Sequence, residues 1–167
     1  MKTRRIFIVL SLVLVCMLAA SVSAAGNPVI HSVSAGGPDA CEAFGLNPGC
    51  DASFSLQAKM YADGSVTGQF VDKFGNAFGG GRIHAVIDCL YVDGNEAWVS
   101  GVITQNSYPF SSYQTVAARV KDNGTTANDP PDQISLSWFI PGQPPFNCTD
   151  HPDVPLYDVP KGQVIVK

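Results

Sequence analysis

The chain has 167 residues, 46% of them hydrophobic and 14% charged, with 10 Lys+Arg against 14 Asp+Glu. That length and apolar share suit one domain with a core of its own, not a disordered chain. The cations are few and scattered, so nucleic acid and anionic membranes are poor partners.

The first 24 residues predict export. Lys2, Arg4 and Arg5 make a positive start, Ile6 to Ala20 is an uncharged and mostly apolar run, and Val22-Ser23-Ala24 ends it with small residues. This is the pattern of a secretory signal peptide cut before Ala25. A run of 15 residues is short for a spanning helix, which needs roughly 20. Cys16 follows Val15 rather than a small residue, which argues against a lipidated cysteine. Removal of 1–24 leaves 143 residues. Of the 10 basic residues, 7 remain against 14 acidic ones, a net charge of −7. That acidity suits solubility. The mature chain has no membrane-spanning segment, and its expected location is extracellular, periplasmic or cell-envelope.

Cys41, Cys50, Cys89 and Cys148 then remain, an even count in an exported chain, and two disulfides are expected. Of three connectivities, Cys41–Cys50 with Cys89–Cys148 is preferred. The first closes a short loop containing the turn Asn47-Pro48-Gly49, and the second closes about 60 residues. Loop entropy assigns them about 2.7 and about 4.3 kcal/mol.

Alternation with a period of two dominates the rest. Val29 to Ser34 is a first strand. Ser53 to Tyr61 puts Phe54, Leu56, Ala58 and Met60 on one face. After the turn Ala62-Asp63-Gly64, Ser65 to Asp72 returns with Val66, Gly68 and Phe70 inward, which makes a hairpin. Arg82 to Val92 sets Ile83, Ala85, Ile87, Cys89 and Tyr91 against Arg82, His84, Val86 and Asp88. Asp93-Gly94-Asn95 turns the chain into Glu96 to Thr104, with Ala97, Val99, Gly101 and Ile103 inward. Gln114 to Lys121 alternates Val116, Ala118 and Val120 with Thr115, Ala117 and Arg119. Pro130-Pro131 ends a polar loop from Asp122 to Asp132 and cannot lie in central sheet. Gln133 to Ile140 alternates Ile134, Leu136, Trp138 and Ile140 with serines, Pro141 to Pro160 is irregular, and Gly162 to Val166 is a last strand. No segment has a helical period.

The expected fold is all-β, an antiparallel meander of about eight strands closing into a small barrel that removes exposed edges. A two-sheet sandwich is the alternative. The organisation is a signal peptide (1–24), an N-terminal strand with a disulfide loop (25–52) and a barrel-like unit (53–167), with 25–167 forming one domain.

In a meander, alternate connections share an end. The turns 62–64 and 93–95 fall with the loop 122–132. Loops 73–81, 105–113 and 141–160 fall at the other end, bringing Phe74, Phe78, Tyr108, Pro109, Phe110, Tyr113 and Phe146 there with Gly79-Gly80-Gly81. Such barrel mouths commonly bind ligands, so Phe74, Phe78, Tyr108, Phe110 and Tyr113 are the candidate ligand-binding residues. The same rings folded inward would instead plug the barrel. This topology also strains the Cys89–Cys148 pairing: Cys89 lies near the turn end, so the loop after Ile140 must run back along the sheet.

No catalytic residue is assigned. His31, His84 and His151 show no short metal-ligand spacing. His84 and Asp88 share a strand face but stand roughly 13 Å apart. His151, in Asp150-His151-Pro152-Asp153, reads as a solvated loop histidine. Gly79-Gly80-Gly81 precedes no helix, so it is no phosphate cradle. Asp122, Asp129 and Asp132 are a candidate Ca²⁺ cluster, although Asp-Asn-Gly is also ordinary turn chemistry. Asn123-Gly124-Thr125 and Asn147-Cys148-Thr149 are glycosylation triplets that matter only in a glycosylating host. No cofactor is expected.

Five segments in order carry a resemblance: Asp63-Gly64-Ser65-Val66-Thr67-Gly68-Gln69-Phe70; His84 through Cys89-Leu90-Tyr91-Val92-Asp93-Gly94-Asn95 to Ala97-Trp98-Val99-Ser100-Gly101; Val120-Lys121-Asp122-Asn123-Gly124; Pro131-Asp132-Gln133-Ile134-Ser135-Leu136; and Cys148-Thr149. Over most of 53–167 the chain resembles a group of small uncharacterised secreted bacterial proteins. The resemblance implies export and a single β domain, and no transferable chemistry. The leading expectation is a non-enzymatic exported module that binds a small ligand or surface partner through its aromatic end. The alternatives are a structural or cell-envelope protein without a small ligand, and a hydrolase or lyase using His151, His84 or loop carboxylates.

Overall fold

Alternating apolar residues become strands because successive side chains point to opposite faces, and one face can then be buried continuously. The computed structural model describes residues 26–38, 51–76, 79–109, 112, 114–135, 138–139 (backbone only), 147–159 and 161–167. The signal-peptide segment, the Cys41–Cys50 loop, Phe78, Phe110, Tyr113 and Phe146 lie outside these residues. The strands are β1 (Val29–Pro38), β2 (Ser53–Tyr61), β3 (Val66–Lys73), β4 (Arg82–Asp93), β5 (Glu96–Asn106), β6 (Thr115–Lys121), β7 (Gln133–Ile134), β8 (Trp138–Phe139), β9 (Tyr157–Asp158) and β10 (Gln163–Val166).

They form one antiparallel sheet in the order β10-β1-β2-β3-β4-β5-β6-β7-β9, with β8 also on β6. The sheet curls through 286°, so the expected all-β barrel is present as an open half-barrel. The single strand expected over 133–140 is two short ones. β7 sits opposite Val120–Lys121 and β8 opposite Thr115–Val116.

The interior is filled by Val33, Phe54, Leu56, Ala58, Phe70, Ile83, Ala85, Ile87, Leu90, Val99, Val116, Val120 and Val164, all buried. Phe70 is 1% exposed. Burying such a side chain contributes about 1.5–3 kcal/mol, so this filling is the main source of stability.

One face assignment needs correction. Ile83, Ala85 and Ile87 point inward as expected, but Cys89 and Tyr91 do not. The β4–β5 register shifts between Ile87 and Cys89, and Leu90 takes the buried position. A bulge inserts one residue and reverses the alternation after it. Cys89 thereby reaches the outside of the barrel.

The seam between β10 and the β6–β7 edge is bridged by carboxylates. Asp132 Oδ2 accepts from Val164 N at 2.6 Å and Asp122 Oδ2 from Val166 N at 3.1 Å. Val159 N donates to the Asp132 carbonyl at 2.7 Å. These side chains satisfy edge amides that no neighbouring strand meets.

Candidate functional site

Two regions concentrate aromatic or charged side chains. The first is the expected aromatic end. Ser107 ties the two loops together there: its N donates to Arg82 O at 2.9 Å, and its Oγ accepts from Arg82 N at 3.0 Å. Gly81 has φ +91, and a Cβ there would lie 2.6 Å from Ser107 O, so no other residue fits this crossing. The loops bring Phe74 and Tyr108 into a stack, with centroids 4.1 Å apart and planes at 23°. Phe74 is 5% exposed and part of the core, while Tyr108 is half-buried against it. The ring pair thus roofs the interior and leaves part of Tyr108 facing solvent.

The second region is on the outside of β4–β6, where the sequence had named His151 but not the cluster around it. Residues 147–154 run back along the sheet as the pairing requires, and Cys89 and Cys148 form the expected disulfide with Cα atoms 6.1 Å apart. Asn147 caps the short 3-10 turn Cys148–Asp150, and His151 follows in the left-handed region at φ 35. His151 stacks on Tyr91 (4.8 Å, 15°) and meets Trp98 edge-on (5.8 Å, 64°). Trp98 Nε1 donates to Pro152 O at 3.0 Å. Arg119 lies over the Trp98 ring at 5.4 Å, pairs with Asp153, and donates to Val154 O at 3.0 Å. It also pairs with Glu96 at 2.7 Å, which Lys121 approaches at 3.1 Å. Burial pushes the Glu96 carboxyl up, but hydrogen bonds from Arg119 and Lys121 outweigh it and hold the group below its ordinary value.

This strap of residues 147–154 explains why Trp98, on the outer side of β5, is buried. The signal for it was the Cys89–Cys148 pair, with an indole and an arginine on adjacent outward positions. The partners lie far away in sequence, 54 residues for Trp98 and Pro152 and 34 for Arg119 and Asp153, beyond the reach of a local pattern.

The three loop aspartates are engaged with backbone amides. Asp122 Oδ1 accepts from Gly124 N at 3.0 Å, Asp129 Oδ2 from Thr126 N at 2.8 Å, and Asp132 Oδ1 from Asn123 N at 2.8 Å. Among the described residues, no group of three or more His, Cys, Asp or Glu side chains is placed to hold a metal ion. His84 is half-buried beside Val71 and Gln105, with Nε2 enclosed and without a hydrogen-bond partner among the described residues. His31 is half-buried opposite Met60.

No protein-family model, no curated protein and no solved structure matches the chain. Among the described residues, no helix is long and apolar enough to cross a membrane.

Proposed function

We propose that this protein is an exported, non-enzymatic module that recognises a partner at its surface, through the aromatic end of the half-barrel. The observation that carries the reading is the Phe74–Tyr108 stack: a rigid aromatic floor, held by Ser107 and Gly81, with Tyr108 partly open to solvent. Pre-ordered aromatic rings give contact area at little entropic cost. Phe78, Phe110 and Tyr113 belong to the same two loops in the sequence. The positive start and apolar run of 1–24, the Cys89–Cys148 disulfide and the likeness to small secreted bacterial proteins support export. The use of the polar groups supports binding over catalysis: the loop aspartates hold backbone amides, and Arg119 holds the strap.

A structural or cell-envelope role without a small ligand draws on the burial of Phe74, since a ring in the core closes the barrel end. Native mass spectrometry of the protein secreted by its own host separates the two. A chain starting at Ala25, lighter than the reduced form by the hydrogens of two disulfides, establishes export. Extra mass that disappears on denaturation and in Tyr108→Ala, while the fold is kept, establishes binding at this end. A bare mass with a large stability loss in Tyr108→Ala shifts the reading to the structural role. A chain that retains 1–24 overturns export.

A further inference from the structure

We infer that the outer side of the β2–β3 hairpin is a binding site for a neutral saccharide. It lies near the turn end of the barrel and is independent of the aromatic end. A shallow depression of about 280 Å³ opens there, lined by Gln57, Lys59, Tyr61, Thr67 and Gln69, with the backbones of Ala58 and Gly68 as its floor. Its side chains are the outward half of an alternation whose inward half, Leu56, Ala58 and Phe70, is fully buried.

The chemistry of the lining selects the ligand. Gln57 stands opposite Gln69, and Lys59 opposite Thr67. Tyr61 Oη and Thr67 Oγ1 lie 3.5 Å apart across the hairpin. Two carboxamides and two hydroxyls supply donors and acceptors side by side, as the adjacent hydroxyls of a sugar ring require. The Tyr61 ring, half-buried, offers an apolar wall to the C–H face of a pyranose. In a chain with an excess of acidic residues, none of the seven lining residues is a carboxylate. Asp88, the residue after Ile87 on β4, stands outside the lining. With no acid in the lining a cationic ligand finds no counter-charge, and the single exposed ammonium of Lys59 offers an anion only one solvent-screened contact. The row continues onto β1, where Ser34 faces Gln57 and Ser32 faces Lys59. Three strands span roughly 10 Å, room for two sugar rings. So open a site predicts millimolar binding.

The test is a titration of the purified protein with cellotetraose and, separately, maltotetraose, followed by amide NMR shifts. The expected result is saturable shifts at 57–61 and 67–69 with at least one of them. Affinity should fall about tenfold in Gln57→Ala/Gln69→Ala, which removes two hydrogen-bonding groups. Tyr61→Ala should weaken it similarly, and unfolding midpoints check that both variants keep the fold. Should the double variant not fold, Gln57→Glu serves, since a carboxylate there should also weaken binding. Absence of saturable shifts with both sugars, shifts confined to the Tyr108 end, or equal affinity for an acidic tetragalacturonate would each overturn the inference. The first and third results leave the aromatic-end reading untouched, and the second would favour it.

Discussion

The carboxylate of Asp132, 6% exposed, accepts the amide of Val164 at 2.6 Å and that of Asn123 at 2.8 Å. One side chain therefore joins the last strand, the 122–132 loop and the start of β7 across the open seam. Truncation to alanine strands two amides, each costing about 1–3 kcal/mol when enclosed. Asp132→Ala is expected to lose about 3 kcal/mol in urea unfolding, and Asp132→Asn less, because one carbonyl acceptor survives. Hydrogen exchange at the Val164 amide should rise more than exchange at Leu56. An unchanged Val164 rate would mean that the seam is held by other contacts.

The disulfide closes the strap over Trp98. Replacing Cys89 and Cys148 by alanine releases a loop with a sequence separation of 59, worth about 4 kcal/mol by loop entropy. Trp98, 5% exposed, should then become wetter, with a red-shifted emission. Retention of the native emission would show that the Pro152 hydrogen bond and the Arg119 contacts hold the strap unaided.

Gly101 sits inward on β5 beside the β4 bulge, where an added Cβ would collide with the backbone carbonyl of Val86. The atoms it would meet all belong to the backbone of Val86 and Ile87, so the strands must part. Gly101→Ala is expected to destabilise by more than about 2 kcal/mol. Gly64, with φ +82 and open space around it, should lose only about 1 kcal/mol on the same change. Thermal unfolding of the two variants side by side checks the ranking.

These contrasts show what the sequence made legible. Alternation from Phe54 to Met60, from Ile83 to Ile87 and from Val116 to Val120 revealed strand type and inward face, because a half-buried strand leaves that mark in the order of its residues. Cys89 and Tyr91 were misplaced because a bulge is settled by the pairing with β5, which no local pattern records. Trp98 is buried on the outer side because the strap covers it. Asp132 and Asp122 of the 122–132 loop also hold the amides of Val164 and Val166, which lie 32 and 44 residues away, where no local pattern records them.

The cluster of Glu96, Arg119 and Lys121 predicts an acid-sensitive strap. Burial opposes the charge on Glu96, yet the two cations hold its carboxyl below the ordinary value of 4.5. A carboxyl depressed in the folded state stabilises fully above its unfolded value, and that stabilisation is lost as pH falls through the folded one. Stability of the wild-type protein should therefore decline between about pH 5 and pH 2 more steeply than that of Glu96→Gln. Asp63, held low by Ser65, and Asp129, held low by Thr126, titrate in both proteins, so the comparison isolates Glu96. Parallel pH profiles would remove the cluster from the account of acid stability.

His151 combines an unfavourable backbone with a favourable side chain. Its φ of 35 and ψ of 55 lie in the left-handed region, which disfavours a side chain by roughly 1–2 kcal/mol. The stack on Tyr91 and the edge contact with Trp98 return about 0.5–1.5 kcal/mol. His151→Ala keeps the strain and loses the rings, so it should be less stable than wild type by about 1 kcal/mol. His151→Gly loses the rings but removes the strain, and should fall close to wild type. Urea unfolding of the pair decides the point. If alanine proves as stable as glycine, the left-handed turn after Asp150 is not kept without the rings, and the stack itself is what sets the backbone of the strap.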